Sequence, residues 1–497
     1  MKFVAGIDTG TQSTKVICYD YENRVMAAEA SAAHELVSAD DGTREQDAEW
    51  WIAAIRDCFT KIPEEIRSGI VAVGVSGQQH GFVPIDGEGN VLRAVKLWCD
   101  TSTAGECDEM TEAYGGTDKL LEGPGNLILP GYTASKILWF RKHHPDLYAR
   151  MEKILLPHDY INWFLTGSYT MEAGDASGTA LLDVSTCTWN RELLRIIDSE
   201  RDLEELLPRI IAAGEPAGYV TEGAARYFGI PSGIPVSCGG GDNMMGAIGT
   251  GTVEDGFLTV SLGTSGTIYG YSDTPVIDDE GLLAAFCSST GGWLPLLCTM
   301  NCTVASEKTR TLFNRSVREF DALAEQAPIG AEGVMMLPYF NGERTPNFPN
   351  GRACVVGMTS DSMSEANISR AAMESAIYGL RMGLDAFRRL GFTAREVRLI
   401  GGGANSPLWR QIAADVFNLP VVVPRIAEAA ALGAALQALW THALLQGSSV
   451  GIAELTREHV VLDEGKSCCP DPQRNSRYEK VYADYSAYVT ALSPLFR

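Results

Sequence analysis

One arrangement occurs twice in this chain, at the N-terminus and again just past the middle, and it restricts the available folds more than any other feature. Phe3-Val4-Ala5-Gly6-Ile7 is apolar and strand-like, Asp8-Thr9-Gly10-Thr11-Gln12 is a polar turn, and Lys15-Val16-Ile17-Cys18-Tyr19-Asp20 returns as a strand. Phe257–Leu262, the turn Gly263-Thr264-Ser265-Gly266 and the run 267–271 restart the same plan. Each half then holds a later strand that ends in a polar or glycine-rich loop. Residues 71–75 lead into Ser76-Gly77-Gln78-Gln79-His80-Gly81, and residues 397–400 lead into Gly401-Gly402-Gly403-Ala404-Asn405. A third short strand, 235–238, ends in Gly239-Gly240-Gly241-Asp242-Asn243. Helical patterning covers 47–59, behind an acidic first turn, and also 134–142, 408–417 and the Ala/Leu-rich 427–445.

The repeat is loose in identity. It predicts an α/β fold of two similar domains with a cleft between them. A chain of 497 residues exceeds one ordinary core. The expected division is 1–246 and 247–497, with a hinge near 245–256 and the last stretch of about 45 residues unassigned.

Formal net charge is −23, which favours solubility and disfavours nucleic acid and anionic membranes as partners. The N-terminus MKFVAGIDTGTQ has no secretory apolar core, and no run approaches the roughly 18 apolar residues of a membrane span. The 12 cysteines form no CxxC pair; Cys298 and Cys302 are spaced to share a helical face, and Cys468 and Cys469 are adjacent. Free thiols and a cytoplasmic location are therefore expected.

Three loops have the makings of phosphate-binding turns. Around Asp8-x-Gly10-Thr11, glycine lets backbone N–H groups approach an anion, Thr11 and Gln12 add donors, and the carboxylate is a candidate Mg²⁺ ligand. Gly263-Thr264 repeats those physics, and Gly401–Asn405 stands between a strand and a helix N-terminus. Each is also compatible with an ordinary tight turn. None is GxGxxG, and Gly465-Lys466-Ser467 is no P-loop because Val460 stands where the first glycine is required. Asp242 follows three glycines, which is expected to leave a substrate room to reach the carboxylate as a general base must. Gln78-Gln79-His80 presents a row of hydrogen-bonding groups suited to a polyol, and Trp98 with Asp100 offers a stacking face and an acceptor.

Taken in order, these segments resemble the FGGY carbohydrate kinase family. The resemblance is carried by residues 6–15, 76–81, 131–136 (Gly-Tyr-Thr-Ala-Ser-Lys), 239–246, 261–266 and 401–416, and within the family it is closest to xylulokinases. It implies two actin-like (ribonuclease H-like) ATPase domains with an interdomain cleft, ATP and Mg²⁺ as cofactors, and a small-molecule sugar as partner, and it leaves a homodimer open. It implies Asp242 as catalytic base, Asp8 as the second catalytic residue and metal ligand, and Gln79, His80, Asp242 and Asn243 around the sugar. The nucleotide falls to Thr11, Gln12, Gly263, Thr264, Gly402, Gly403, Ala404 and Asn405. The implied reaction is phosphorylation of a ketopentose, D-xylulose, with D-ribulose or another pentulose or polyol as the alternative. From another class, a mechanical actin-like ATPase would share the phosphate turns but has no use for the Asp242 base. The chain departs from the usual xylulokinase pattern at Gln79, where Met is common, at Cys99–Thr103, and at Met244-Met245.

Overall fold

The computed structural model describes residues 2–496. The chain forms two compact units. The first comprises Met1–Val253, Ser272–Pro295 and Glu428–Val460; the second comprises Glu254–Tyr271, Leu296–Ala427 and Val461–Arg497. The sequence-order division at 246/247 falls inside a helix, Asp242–Thr250, and two later stretches of chain belong to the first unit.

The first unit is built on a seven-stranded sheet. Its strands are β1 (Phe3–Thr9), β2 (Ser13–Asp20), β3 (Val25–Ala33), β4 (Ile70–Gly77), β5 (Pro216–Tyr219), β6 (Pro235–Ser237) and β7 (Gly240–Gly241), in the order β5-β6-β4-β1-β2-β3 with β7 beside β4. β1 and β2 form the expected hairpin, and β4 lies parallel to β1 with Asp8 level with Ser76. Gly77 is level with Gly241 on the parallel β7. Asp8, Gln79 and Asp242 therefore leave the sheet at one end, the carboxyl ends of parallel strands, where open α/β sheets bind ligands.

Two helices complete this core. Ala48–Lys61, capped by Asp47, buries Trp51, Ile55 and Phe59. Ala429–Leu445 is rich in alanine, the best helix former, and is buried from Ala431 to Leu439. It lies so close to the sheet that a Cβ on Gly6 would sit 1.9 Å from the Ala431 carbonyl oxygen, and one on Gly74 2.0 Å from that of Ala434. Only glycine permits that approach.

The second unit repeats the scheme with β8 (Phe257–Leu262), β9 (Gly266–Gly270), β10 (Leu296–Thr299), β11 (Glu396–Ile400) and β12 (Val421–Val422), ordered β10-β9-β8-β11-β12. β8 and β9 are an antiparallel hairpin and β11 is parallel to β8, as β4 is to β1. The long helix Glu365–Arg389 covers this sheet with Leu384 and Phe387 buried. It also holds a buried polar cluster: Arg370 Nε bonds Glu374 Oε1 at 2.6 Å, and Tyr478 Oη reaches the same carboxylate at 2.9 Å.

Cys298 lies on β10 while Cys302 precedes the helix Thr303–Leu312, so they share no helical face. All twelve cysteines are free thiols. Among the described residues, no helix is long and apolar enough to cross a membrane.

Candidate active site

Asp8, next to last on β1, is half-buried, and Ser76 Oγ donates to its Oδ1 at 2.8 Å. Burial pushes its carboxyl up to about 6, against the Ser76 hydrogen bond and the Lys15 charge; Lys15 itself is paired with Glu428. The turn that follows is less open than its sequence suggests. Thr11 Oγ1 donates to Gln78 Oε1 at 3.1 Å and accepts from Trp98 Nε1 at 2.9 Å, while Gln46 Nε2 holds the Thr11 carbonyl at 2.8 Å. The Thr11 hydroxyl is thus committed to its own framework, and Gln12 is exposed. Trp98 serves this turn through its indole N–H. Asp100 is saturated by Lys96 at 3.1 Å, the Arg44 backbone at 2.8 Å and Ser102 at 2.6 Å, which makes it a framework residue.

β4 runs out into Gln78, Gln79 and His80. His80 has φ 64°, a left-handed backbone seldom adopted by a residue with a side chain. Its carbonyl oxygen is gripped by the buried Lys136 ammonium at 2.6 Å and by Thr133 Oγ1 at 3.1 Å, and Lys136 also bonds the Gly131 carbonyl at 2.6 Å. The Gly131–Lys136 segment therefore works as a clamp on the His80 backbone. The imidazole packs against both Tyr132 and Phe286, with centroids 4.6 and 5.7 Å away.

Asp242 opens the helix Asp242–Thr250. The Asn243 backbone and amide nitrogens donate to its Oδ1 at 2.8 and 3.0 Å, and the same Asn243 amide donates to Gln79 Oε1 at 2.9 Å. Burial first, then the charges of Asp8 and Asp175, push the Asp242 carboxyl up to about 7. That is the range in which a carboxylate serves as a base near neutral pH.

The three preceding glycines do not open space for a ligand, as their sequence suggests. A Cβ on Gly239 would meet His158 Cδ2 at 2.9 Å, one on Gly240 Ser289 Oγ at 2.4 Å, and one on Gly241 Gln79 Cγ at 2.6 Å. They let neighbouring side chains close around Asp242. Gln437, on the helix Ala429–Leu445, fixes the same loop by bonding the Gly239 N–H at 2.8 Å and its carbonyl at 3.1 Å.

Behind this loop lies a charged group that sequence reasoning missed: His158, Asp159, Glu172 and Asp175, all buried. Glu172 caps the short helix Ala173–Ser177, and burial pushes its carboxyl up to about 7. Acids inside apolar runs were the available signal, at His158-Asp159-Tyr160-Ile161 and Gly174-Asp175-Ala176.

In the second unit the two remaining loops come together. Gly401, at φ 85°, crosses the end of β8 so closely that a Cβ would sit 2.7 Å from the Leu262 carbonyl oxygen, one residue before Gly263. The Gly263 and Thr264 carbonyls accept from the Thr303 and Cys302 N–H groups at 3.0 Å, and Arg410 Nη1 holds the Ala404 carbonyl at 2.8 Å. Gly402 has no atom within 4 Å of a would-be Cβ. It is exposed, as are Asn405 and Thr264, while Gly403 and Ala404 are buried.

Among the described residues no group of three or more His, Cys, Asp or Glu side chains is arranged to hold a metal ion. Mg²⁺ commonly takes one or two protein carboxylates and completes its shell with phosphates and water, so a single carboxylate beside a turn, as Asp8 provides, is compatible with it.

Comparison with known proteins gives a consistent result. Residues 3–249 match the N-terminal domain of the FGGY family of carbohydrate kinases and residues 258–442 its C-terminal domain. A xylulose kinase of Haemophilus influenzae is 42% identical over 99% of both chains, and one of Escherichia coli is 35% identical over 83% of this chain and 84% of its own. A Brucella ovis crystal structure described as a xyloylose kinase superposes with TM-score 0.91 at 28% identity, covering 99% of this chain and 100% of its own. A gluconate kinase from Lactobacillus acidophilus shares the fold with TM-score 0.92 at 24% identity, over 100% of this chain and 99% of its own, so the fold does not fix the sugar. Matched along both halves, the chain belongs to the FGGY family of carbohydrate kinases and is a sugar kinase.

Proposed function

We propose that the chain transfers the γ-phosphoryl group of ATP to a hydroxyl of a ketopentose, D-xylulose giving D-xylulose 5-phosphate, with Asp242 as the general base. The observation that carries the base assignment is the Asp242 carboxyl itself: half-buried at a strand end, fixed by Asn243 on one oxygen, and held near 7 by burial and by Asp8 and Asp175. Ionised Asp242 accepts the hydroxyl proton as the oxygen attacks phosphorus. Gln79, His80 and Asn243 orient the sugar through uncharged donors and acceptors. Their geometry is set in advance by the Lys136 clamp and the Gln79–Asn243 bond.

Phosphoryl transfer asks little more of a protein than alignment, charge neutralisation and a base. Gly263, Thr264 and Gly402–Asn405 hold the nucleotide. Asp8 would hold Mg²⁺, which would supply charge neutralisation. The substrate reading draws on the xylulose kinases of similar length and sequence. The free thiols and acidic surface support work in the cytoplasm. ADP release over a panel of ketoses and polyols tests this. D-xylulose is expected to show the highest kcat/KM; a higher value for D-ribulose reassigns the substrate, and no stimulation by any sugar overturns the reading.

A further inference from the structure

Two thiols 100 residues apart in sequence meet within the first unit: Cys187 Sγ lies 3.6 Å from Cys287 Sγ. Both are free thiols, but a disulfide between them needs an approach of only about 1.5 Å. Each sulfur also faces the Val184 carbonyl, at 3.8 and 3.9 Å, so the two point to one spot. Cys287 belongs to a buried apolar cluster with Leu182, Val184 and Ala285, and Cys187 packs against it.

The two thiols are not equivalent. Cys287 is fully buried, whereas Cys187 is half-buried in the turn between the paired strands Leu182–Asp183 and Thr188–Trp189. Negative charge settles on the sulfur that water reaches. The Cys287 S–H then donates to Cys187, which holds the Cys187 thiol below its ordinary range and drives that of Cys287 up. A partly open thiolate beside a resolving thiol is the arrangement of peroxide-reactive cysteines. Their backbones differ as well. The Cys287 N–H donates to Ser177 Oγ at 2.9 Å, and Asn126 bonds the Ala285 N–H and carbonyl at 2.8 and 3.0 Å. The Leu294 N–H donates to the Phe286 carbonyl at 2.7 Å. Cys187 instead follows the exposed Ser185 and Thr186, whose N–H groups make long bonds to Asp183 Oδ1, 3.2 and 3.4 Å. Exposed bonds of that kind open at low cost. Closing the sulfur gap therefore falls to the turn, and Phe286 keeps its place against His80.

We propose that Cys187 and Cys287 form a modification site for hydroperoxides: they close into a reversible disulfide while the Phe286 strand stays in place, so that sugar kinase turnover survives oxidation. The Cys187 thiolate attacks one peroxide oxygen and the O–O bond breaks. The departing oxygen takes a proton and leaves as water or an alcohol, and Cys187 becomes a sulfenic acid. The Cys287 sulfur attacks that sulfur, and the S–O bond breaks as the hydroxyl leaves with the Cys287 proton as water. The two sulfurs supply the two electrons that reduce the peroxide. A dithiol reverses the bond by exchange and becomes a disulfide itself. Without Cys287, the sulfenic acid would be open to further oxidation to the irreversible sulfinic acid.

Mild treatment of the whole enzyme with hydrogen peroxide tests this, followed by digestion without reduction and mass spectrometry. The expected product is a peptide pair cross-linked through Cys187 and Cys287, abolished by dithiothreitol, with kcat for ADP release unchanged. In Cys287→Ala, dimedone is expected to label Cys187 as the sulfenic acid. Cys187→Ser, a change in a half-exposed turn, tests the site even where Cys287→Ala folds poorly: its thiol loss under peroxide should fall short of the parent's by two per chain. Absence of the cross-link while other cysteines oxidise overturns the proposal, as does equal thiol loss in Cys187→Ser. So does a kcat that falls by about tenfold or more in the cross-linked parent, the mark of a shifted site, but holds in Cys187→Ser treated alike.

Discussion

Replacing Gly241 with alanine perturbs the base without touching a functional group. The backbone there, φ −66° and ψ 155°, accepts alanine without strain, so the whole effect lies in the added methyl. That methyl would stand 2.6 Å from Gln79 Cγ, 2.9 Å from Cδ and 3.0 Å from Nε2. Gln79 must retreat by about 0.8 Å to reach ordinary contact at 3.4 Å. The same retreat stretches the 2.9 Å bond from Asn243 beyond the roughly 3.5 Å limit of a hydrogen bond. Overpacking of this kind costs about 1–3 kcal/mol of stability, which a domain of this size survives. The kinetic cost is larger, because Asn243 loses one of the two groups that fix it. We expect kcat to fall by about 10- to 100-fold with the KM for ATP unchanged, read by ADP release at saturating sugar. Gly402→Ala is the matched control: its methyl meets nothing within 4 Å, so folding and kcat stay near the parent and any change appears in the KM for ATP. A Gly241→Ala enzyme with parental kcat would refute the packing argument.

Three further outcomes follow from the structure. Because the Asp242 carboxyl sits near 7, activity should be lost as pH falls through about 7 on the acid limb of kcat/KM. An unfolded chain releases that proton near pH 4, so ionising Asp242 destabilises the folded state as pH rises from about 4 to 7. Asp242→Asn should then lose turnover by about 10²–10⁴-fold yet melt higher than the parent at pH 8, an advantage that shrinks toward pH 4; a variant less stable at pH 8 contradicts this. Asp8→Asn should cripple turnover and weaken its dependence on Mg²⁺ concentration, and an unaltered Mg²⁺ titration removes Asp8 from its role. Arg370→Met should leave Glu374 buried without its cation and cost about 3–5 kcal/mol in denaturant unfolding, with kcat of the folded enzyme intact.

Much of the fold can be read from local pattern. The hairpins at β1–β2 and β8–β9 declare themselves through alternation broken by a Gly-Thr turn, and the Ala/Leu run 429–445 is a helix by propensity alone. What pattern does not reveal is partnership across the chain. Nothing local to 427–445 says that it packs on β1 and β4, so a division in sequence order cannot reveal that contact. At the site, the acids and polar rows on strand ends stand out because loops bare them. Gly239–Gly241 misleads because a glycine run looks the same whether it admits a ligand or a neighbouring side chain. His158 and Asp175 are silent for a related reason: only their pairing, across 17 residues of sequence, makes them more than buried polar residues.

The helix Ala429–Leu445 also sets an order of events during synthesis. Chains emerge N-terminus first, and domains generally fold as they appear. Here the strands of the first unit are complete by Gly241, but the helix that seals their face against Gly6 and Gly74 is translated only after most of the second unit. The first unit must wait on the ribosome with an apolar, glycine-lined surface uncovered until residue 445 has cleared the exit tunnel. A fragment ending at Val253 would inherit that exposed face permanently, and co-expression of a 428–460 segment is the natural way to restore its missing lid.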